Sequence, residues 1–411
     1  MNNFLQSKRF MTVVTFLGLF LIATGISWAA FTFLGKGSNL ASQGGISGAR
    51  SKLNLNLPKT EVCPINGAKF TVAERNIWET RRPITMMVEN HVDSRPPNGI
   101  SKADFFYETV AEGGITRFLA IFYCGAAAED VKVAPVRSAR VYFINWASEY
   151  GDNPIFAHVG GANNFCADCP GQVKSYGTTA KEVRAIEMLE TIGWRVPGGN
   201  DFDTSYDSGY PVFYRDAERN KDIAGHLLAT EHTMVASTDE MYKEAQKRGF
   251  DAKDSDGVAW DKNFKQYKFA EDAKQSSPAA TDISFEFWSS QSDYNVEWKY
   301  DSANNQYLRF DGGKAHTDIG YENVQLTAKN VLVMKVKETG PVDEEGHMME
   351  QNIGTGEMTL FQNGGVIKGT WSKADRTSRT IFKDENGKEI TFVRGVTWVE
   401  AIPSENTVTY K

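Results

Sequence analysis

The longest uninterrupted hydrophobic pattern lies near the N-terminus. Residues 10–35 contain no charged side chain, and this run exceeds the roughly 20 apolar residues that a helix needs to cross a bilayer. Lys8 and Arg9 come directly before it, and basic residues mark the cytoplasmic end of such helices. The pattern predicts a cytoplasmic N-terminus at 1–9, a single transmembrane helix at 10–35 and an extracytoplasmic C-terminal body.

A cleaved signal peptide is the alternative interpretation of the same run. Ser27-Trp28-Ala29 would be its cleavage site, which is a poor match to the small-x-small pattern. The apolar run is also longer than the roughly 7–15 residues of a typical signal core. We therefore predict a retained anchor, with the cytoplasmic membrane as a partner through residues 10–35.

The next part of the chain begins with a polar stretch that has neither helical nor strand periodicity, and short apolar runs follow it. Residues 36–60 are rich in Gly, Ser and Asn and predict a flexible linker. Within 61–250, the runs Ile84–Asn90 and Ile155–Gly161 are short and apolar and end in Asn, His or Gly. Such runs are typical of buried strands that open into loops at their carboxyl ends.

Helical patterns separate these predicted strands. Ser138–Tyr150 has the period of a helix and ends before a glycine. Thr179 with Glu182, and Ser237 with Glu240, have the spacing of a capping box, which marks the start of a helix. Strands that alternate with helices predict an α/β domain over 61–250.

The pattern changes again after a polar connecting segment at 251–280. Stretches such as ISFEFW, NVEWKY and VLVMKVK alternate polar and apolar residues with the period of strands. Asn386-Gly387 lies between two such stretches, as in a tight hairpin. The predicted fold is therefore an α/β N-terminal extracytoplasmic domain and a β-rich C-terminal domain at 281–411, behind one transmembrane helix.

Composition excludes one class of function. The formal net charge is −7, whereas binding to nucleic acid requires a basic surface that neutralises phosphates. We therefore predict no nucleic-acid partner.

The four cysteines leave three interpretations open. They are Cys63, Cys124, Cys166 and Cys169, and an even number outside the cytoplasm is compatible with disulfides. The C-x-x-C spacing of Cys166 and Cys169 also fits a redox pair or half of a zinc site. We predict at least one disulfide, either Cys166–Cys169 or Cys63–Cys124, and no metal.

The stretch AEGGITRF, residues 111–118, points to a candidate site. Glu112 and Arg117 flank a glycine pair between two predicted strands. Ligands in α/β sheets lie beyond the carboxyl ends of the strands, and glycine loops and arginines suit anions there. The predicted anion-binding cleft comprises charged, polar and glycine residues from these strand ends: Asn90, Glu112, Arg117, Arg137, Arg140, His158, Gly160 and Gly161. The alternative is a structural network in which these charges neutralise one another.

Several stretches resemble those of one bacterial family. They include RPITMMVENHVDSRPPNGISKADFFYETVAEGGITRFLAIF, APVRSARVYF, AHVGGAN and GEMTLFQNGGVIKGTWSK. The chain resembles the YerB-like family of lipoproteins, which has a two-part domain of unknown function, over about residues 63–405. The resemblance implies an envelope location and a two-domain body. Two departures stand out: this chain has an apolar anchor, and in ATEHTM only His232 matches the expected proline-histidine-asparagine sequence.

Two functions follow as expectations. The first is a membrane-anchored extracytoplasmic protein that binds or scaffolds an envelope polymer or membrane protein, without a cofactor. The alternative is an envelope enzyme acting on an anionic, phosphate-containing polymer. That alternative rests on an architectural likeness to the LytR-CpsA-Psr phosphotransferases, and the sequence identifies no catalytic residue for it.

Overall fold

The computed structural model describes residue 53 and residues 55–164, 178–216 and 225–411. The predicted N-terminal segment and transmembrane helix, most of the predicted linker, and Cys166 and Cys169 lie outside the described residues. None of the helices in the described part is both long and apolar enough to span a bilayer. The described body has two domains, is rich in β-strands and has few helices.

The helices are short and lie in the N-terminal domain. They are α1 (Val72–Trp78), α2 (Val141–Ala147), α3 (Ala185–Thr191) and α4 (Thr238–Lys247). The strands of the same domain are β1 (Lys59–Val62), β2 (Lys69–Thr71), β3 (Ile84–Glu89), β4 (Phe105–Glu112), β5 (Ile115–Phe122), β6 (Lys132–Val133), β7 (Ile155–His158), β8 (Asp201–Asp203), β9 (Phe213–Arg215) and β10 (Met234–Ser237).

The remaining strands form the C-terminal part. They are β11 (Lys268–Ala270), β12 (Asp282–Phe285), β13 (Val296–Asp301), β14 (Gln306–Asp311), β15 (Lys314–Ala315), β16 (Thr317–Asp318), β17 (Val324–Gln325), β18 (Thr327–Ala328), β19 (Asn330–Thr339), β20 (Met349–Gln351), β21 (Gly354–Gln362), β22 (Gly365–Lys373), β23 (Ile381–Asp384), β24 (Thr391–Val393), β25 (Thr397–Pro403) and β26 (Thr409–Tyr410).

One mixed sheet runs through both domains. Its order is β23-β22-β21-β19-β25-β4-β5-β3-β7-β8, with β20 paired to β19. The junction is β25, which lies parallel to β19 on one side and to β4 on the other. Trp398 in β25 is opposite Phe106, and Glu400 is opposite Glu108. Because a strand from the end of the chain pairs with one near its start, the two domains share a continuous hydrogen-bonded sheet.

The two faces of this sheet are covered differently. On one face α2 packs against the strands, with the ring of Trp146 stacked on Tyr107 at 4.9 Å between centroids. On the other face lies a second sheet, of order β15-β14-β13-β12-β26 with β18 beside β14. Trp298 from that sheet meets Trp398 of the main sheet at 5.5 Å. Buried aromatic side chains therefore supply much of the apolar contact on both faces.

The helix predictions have different outcomes. The helix predicted over Ser138–Tyr150 is present as the shorter α2. The prediction that Ser237 caps a helix is confirmed, because its hydroxyl accepts a hydrogen bond from the N–H of Glu240. The capping box at Thr179 is wrong. The Thr179 hydroxyl donates instead to the carbonyl of Asn163 at 2.5 Å, and α3 begins without a side-chain cap.

The strand predictions for the C-terminal part are confirmed. Beyond residue 280, where every residue is described, no α-helix occurs. The turn at Asn386-Gly387 is also present. Gly387 has a φ of 76°, and backbone hydrogen bonds join Asp384 to Lys388 and Phe382 to Ile390 across it.

Candidate functional site

The turn in AEGGITRF joins β4 to β5 and carries an ion pair across it. Arg117 Nη2 donates to Oε1 of Glu112. Gly113 and Gly114 have φ values of 58° and 79°, which glycine adopts without strain. A Cβ at Gly114 would also lie 3.0 Å from the ring of Trp288. The turn therefore favours glycine at both positions, and close neighbours, with Gln291 Cγ at 2.5 Å, exclude a larger side chain at Gly114. The charges of Glu112 and Arg117 neutralise each other in part.

A β-bulge decides the direction of Glu112. Val110 lies opposite Thr116, but Glu112 lies opposite Ile115, so β4 contains one extra residue here. An extra residue turns the next side chain to the other face of the sheet. The bulge therefore places Glu112 on the same face as Arg117, whereas strict alternation would separate them.

Two arginines share the carboxylate of Glu112. Its Oε2 accepts a hydrogen bond from Arg140 Nη2 at 2.7 Å. Burial alone would raise the pKa of Glu112, but Arg117 and Arg140 outweigh it and lower the pKa to about 2. Burial, together with the like charges of Arg140 and Arg137, lowers the pKa of Arg117 to about 10. Arg137 and Arg140 are therefore both close enough to Arg117 to repel its charge.

Arg137 lies between the carboxyl ends of β3 and β7, which are parallel neighbours. Its N–H donates to the carbonyl of Met87, and its carbonyl accepts from the N–H of Val159. Its Nε is 2.9 Å from Oε1 of Glu89, and 25% of its side chain is exposed. We call Arg117, Arg137 and Arg140, with Glu89 and Glu112, the arginine cluster. It lies at the strand ends where the sequence predicted a site.

His158 lies at the end of β7 and is fully buried. Its Nε2 is 2.5 Å from Oδ1 of Asp201, and its Nδ1 is 2.7 Å from the carbonyl oxygen of Gly160. Burial lowers the pKa of His158, but Asp201 and Asp203 outweigh it and the pKa lies above its ordinary value. Both ring nitrogens face acceptors, so the side chain fixes the loop that follows β7.

The glycine pair in that loop leaves space at one residue only. Gly160 has a φ of 64°, and a Cβ there would meet no atom within 4 Å. Its N–H donates to Oδ1 of Asp203 at 2.8 Å. A Cβ at Gly161 would lie 3.0 Å from Ile186 of α3. Gly160 follows Val159, whose N–H donates a hydrogen bond to the carbonyl of Arg137. The open space at Gly160 is therefore in the loop that contacts Arg137.

The structure does not bring Asn90 to the arginine cluster. Successive side chains of a strand point to opposite faces, so Asn90 turns away from Glu89 and towards the second sheet. Its Nδ2 donates to Thr116 Oγ1 and to Asp311 Oδ2, each at 2.8 Å. Its Oδ1 accepts from Arg95 Nε at 3.1 Å. Asn90 belongs to a separate buried polar group between the two sheets.

Arg309 is the centre of that second group. It is completely buried and donates to Glu108 Oε2 at 2.6 Å and to Glu400 Oε1 at 2.5 Å. Burial raises the pKa of both carboxyls despite the charge of Arg309. Trp298 and Trp398 also donate their indole N–H groups to these carboxyls. We call Glu108, Arg309, Asp311 and Glu400 the Arg309 cluster. Its burial indicates a structural role.

The predicted disulfide is confirmed for one of the two named pairs. Cys63 and Cys124 are bonded, with Cα atoms 6.0 Å apart. Asp104 lies beside them, 4.0 Å from the sulfur of Cys63, and accepts from the N–H groups of Tyr123 and Gly125. Burial outweighs these hydrogen bonds and raises the pKa of Asp104 to about 7. The bond closes a loop that contains β3, β4 and β5.

Sequence reasoning missed the partners that come from distant parts of the chain. Asp201 and Asp203 face the loop after β7, and His232 binds Glu89. Their segments showed no local pattern that distinguishes a site. His232 stood out only as a position shared with the resembling family, and Arg309 did not stand out at all.

Comparison with known proteins identifies relatives over most of the body. Residues 71–251 match the model of the N-terminal domain of a protein family of unknown function, DUF3048, and residues 282–399 match the model of its C-terminal domain. A protein named "Putative lipoprotein YerB", from Bacillus subtilis (strain 168), is 29% identical over 340 residues, covering 83% of this chain and 86% of the relative. The crystal structure of the YerB protein from Bacillus subtilis matches with a TM-score of 0.62 and 24% identity, covering 85% of this chain and all of the other. The chain belongs to the DUF3048 family and contains both of its domains.

Proposed function

We propose that this protein is anchored in the cytoplasmic membrane and binds an anionic ligand outside the cell through the arginine cluster. The uncharged run at 10–35 supports a transmembrane anchor. The relative named as a lipoprotein supports attachment at the outer side of the membrane, although by a lipid. The bond between Cys63 and Cys124 fits an oxidising compartment. We also propose that the N-terminal domain is of the α/β class.

The excess of positive charge carries the binding proposal. Within the buried part of the cluster three arginines face two glutamates, and Arg117 and Arg140 share the carboxylate of Glu112. A third carboxylate, that of Glu231, lies near Arg137 but is exposed to solvent, which screens its charge. The pKa of Arg117 is lowered to about 10 by burial and by the other two arginines. An anion beside them would relieve this repulsion, because it pairs with guanidinium groups through charge-assisted hydrogen bonds.

Arg137 is the member best placed to contact a ligand. Side-chain exposure is 25% for Arg137 but only 4% for Arg117 and 6% for Arg140. Gly160, in the neighbouring loop, has open space beside it. We propose that Arg137 contacts the ligand directly and that Arg117 and Arg140 attract the anion electrostatically from behind it. The expected ligand is a phosphate or carboxylate group that belongs to an envelope polymer or to a membrane-protein partner. Catalysis on such a ligand stays a prediction.

Replacing Arg137 with alanine is expected to weaken binding of inorganic pyrophosphate by tenfold to a hundredfold. The estimate follows from a charged hydrogen bond, worth about 1.5–3 kcal/mol. Isothermal titration calorimetry on the full-length protein in mild detergent measures the affinity. The matched control is Arg75→Ala, because Arg75 pairs with Glu61 and Glu79 instead. The control is expected to bind as the unmodified protein does.

A purely structural cluster would give a different result. Removal of Arg137 would then leave the buried Glu89 with only His232 as its partner, and breaking a buried pair costs about 3–5 kcal/mol. The melting temperature of Arg137→Ala would fall sharply, and neither the unmodified protein nor the variant would bind pyrophosphate. That combination would reject the proposed anion site.

The proposed topology predicts that protease added to intact cells digests the body of the protein. The body follows the anchor and is expected outside the membrane because Lys8 and Arg9 stay inside. Immunoblotting against the C-terminal domain measures the loss, and a cytoplasmic protein serves as the protected control. Complete protection of the body until the cells are permeabilised would contradict the topology.

A further inference from the structure

Two histidines and an aspartate meet beside the arginine cluster. They are His91 and Asp93, in the segment that follows Asn90 after β3, and His232, in a short 3-10 turn at Thr230–His232. One ligand atom from each lies within 4.8 Å of those from the other two. We propose that these three side chains bind a divalent transition metal ion of the zinc class. The sequence did not predict this site because His232 is 141 positions from His91 (232 − 91).

Glu89 prepares His232 for this role. Nδ1 of His232 is 2.8 Å from Oε2 of Glu89, which is buried. A carboxylate that binds one ring nitrogen of a histidine fixes the tautomer and leaves the other nitrogen as a metal ligand. The second oxygen of Glu89 is 2.9 Å from Arg137 Nε. The carboxylate is therefore held on both sides and orients the imidazole of His232.

His91 and Asp93 supply the exposed side of the site. The His91 ring stacks on the His232 ring, with centroids 4.9 Å apart and an angle of 23° between the planes. Nδ1 of His91 accepts a hydrogen bond from the N–H of Asp93 at 3.2 Å and is 3.7 Å from Oδ2 of Asp93. Metal binding through Nδ1 would break this hydrogen bond, whereas binding through Nε2 would keep it. Ligand atoms of a tetrahedral zinc ion at about 2.0–2.1 Å are about 3.3 Å apart. The three candidate atoms lie within 4.8 Å of one another, so the site must contract when the ion binds. The side chain of Asp93 is 71% exposed and that of His91 27%, so Asp93 has the more room to move towards an ion.

The donor set indicates the class of ion. Imidazole nitrogens suit zinc and neighbouring transition metals, whereas calcium and magnesium prefer sites built only from oxygen atoms. Two histidines and one carboxylate leave a coordination position open, as in zinc sites that bind a further ligand. The site stands without the proposed anion binding, because its assignment uses none of the arginines as ligands.

Titration of the full-length protein with zinc alone tests the assignment. The protein is prepared without a polyhistidine tag, because such a tag binds zinc. Competition with a chromophoric chelator at neutral pH measures the affinity for zinc. One tightly bound zinc per chain is expected. His91→Ala and Asp93→Asn are each expected to weaken binding at least tenfold, and both should fold because these side chains are partly or largely exposed.

Two matched controls separate this site from others in the chain. His226→Ala removes an exposed histidine elsewhere in the domain, and a Cys166→Ser, Cys169→Ser double variant removes the C-x-x-C pair. Both are expected to keep the affinity of the unmodified protein. The proposal is overturned by absence of stoichiometric zinc binding, by unchanged affinity in His91→Ala or Asp93→Asn, or by loss of binding in either control. Zinc should also raise the melting temperature of the unmodified protein but not of His91→Ala.

Discussion

Replacing Arg309 with alanine is expected to lower the free energy of unfolding by about 3–5 kcal/mol, the cost of breaking a buried ion pair on one side. Arg309 is the cation that lies between Glu108 and Glu400, and all three side chains have no exposed surface. Asp311 is 3.8 Å from the same guanidinium. Without Arg309, these carboxyls must be protonated in the folded state or stay charged without a partner.

The loss of unfolding free energy in Arg309→Ala should become larger as the pH rises. Burial already raises the pKa of Glu108 and of Glu400 above the ordinary value of 4.5, and removal of Arg309 would raise both further. A group whose pKa is raised by folding favours the folded state below its ordinary pKa and disfavours it as pH rises. Arg309→Ala is therefore expected to be closer to the unmodified protein at pH 5 than at pH 8.

Denaturant unfolding of the full-length protein, followed by tryptophan fluorescence, measures both effects. Trp298 and Trp398, two of the nine tryptophans, contact the cluster directly, so the signal includes the region that changes. Arg75→Ala is the control, because its ion pairs lie at the surface, where such pairs add little to stability. Equal unfolding midpoints for the two variants would contradict a structural role for the Arg309 cluster.

Removal of the Cys63–Cys124 disulfide is expected to destabilise the protein by about 4 kcal/mol. The bond joins residues 61 positions apart. A cross-link that closes a loop of that size lowers the entropy of the unfolded chain, and this stabilises the folded state by about 4 kcal/mol. The closed segment contains β3, β4 and β5, which are neighbours in the main sheet. The unfolded chain without the cross-link therefore has more freedom to lose on folding.

The Cys63→Ala, Cys124→Ala double variant tests this expectation by denaturant unfolding. Alanine is suitable because both positions are buried and it adds no polar group beside Asp104. A Cys166→Ser, Cys169→Ser variant is the matched control for the loss of two cysteines. An unfolding free energy within about 1 kcal/mol of the unmodified protein would show that the cross-link adds little to stability.

Part of the arginine cluster was predictable because it depends on local chain geometry. Strands that run parallel and adjacent present their carboxyl ends at the same edge, which is why Arg137 and the Gly160 loop meet. The glycine pair at residues 113 and 114 predicted a turn with two charged flanks. Its bulge, however, is a property of the pairing between β4 and β5, and no sequence pattern showed that Glu112 would face Arg117.

The sequence by itself determined the predicted anchor, the change to a strand-rich C-terminal part, the turns, and the strands that carry the candidate site, because these depend on near neighbours along the chain. Only the tertiary structure decided that β25 joins the two domains in one sheet. It also decided that His232 lies beside His91 and that Arg309 lies beside Glu108. The pairing of β25 with β4 and the contacts of His232 with His91 and of Arg309 with Glu108 all join residues more than a hundred positions apart. They depend on the packing of whole sheets, which hydrophobic periodicity does not encode.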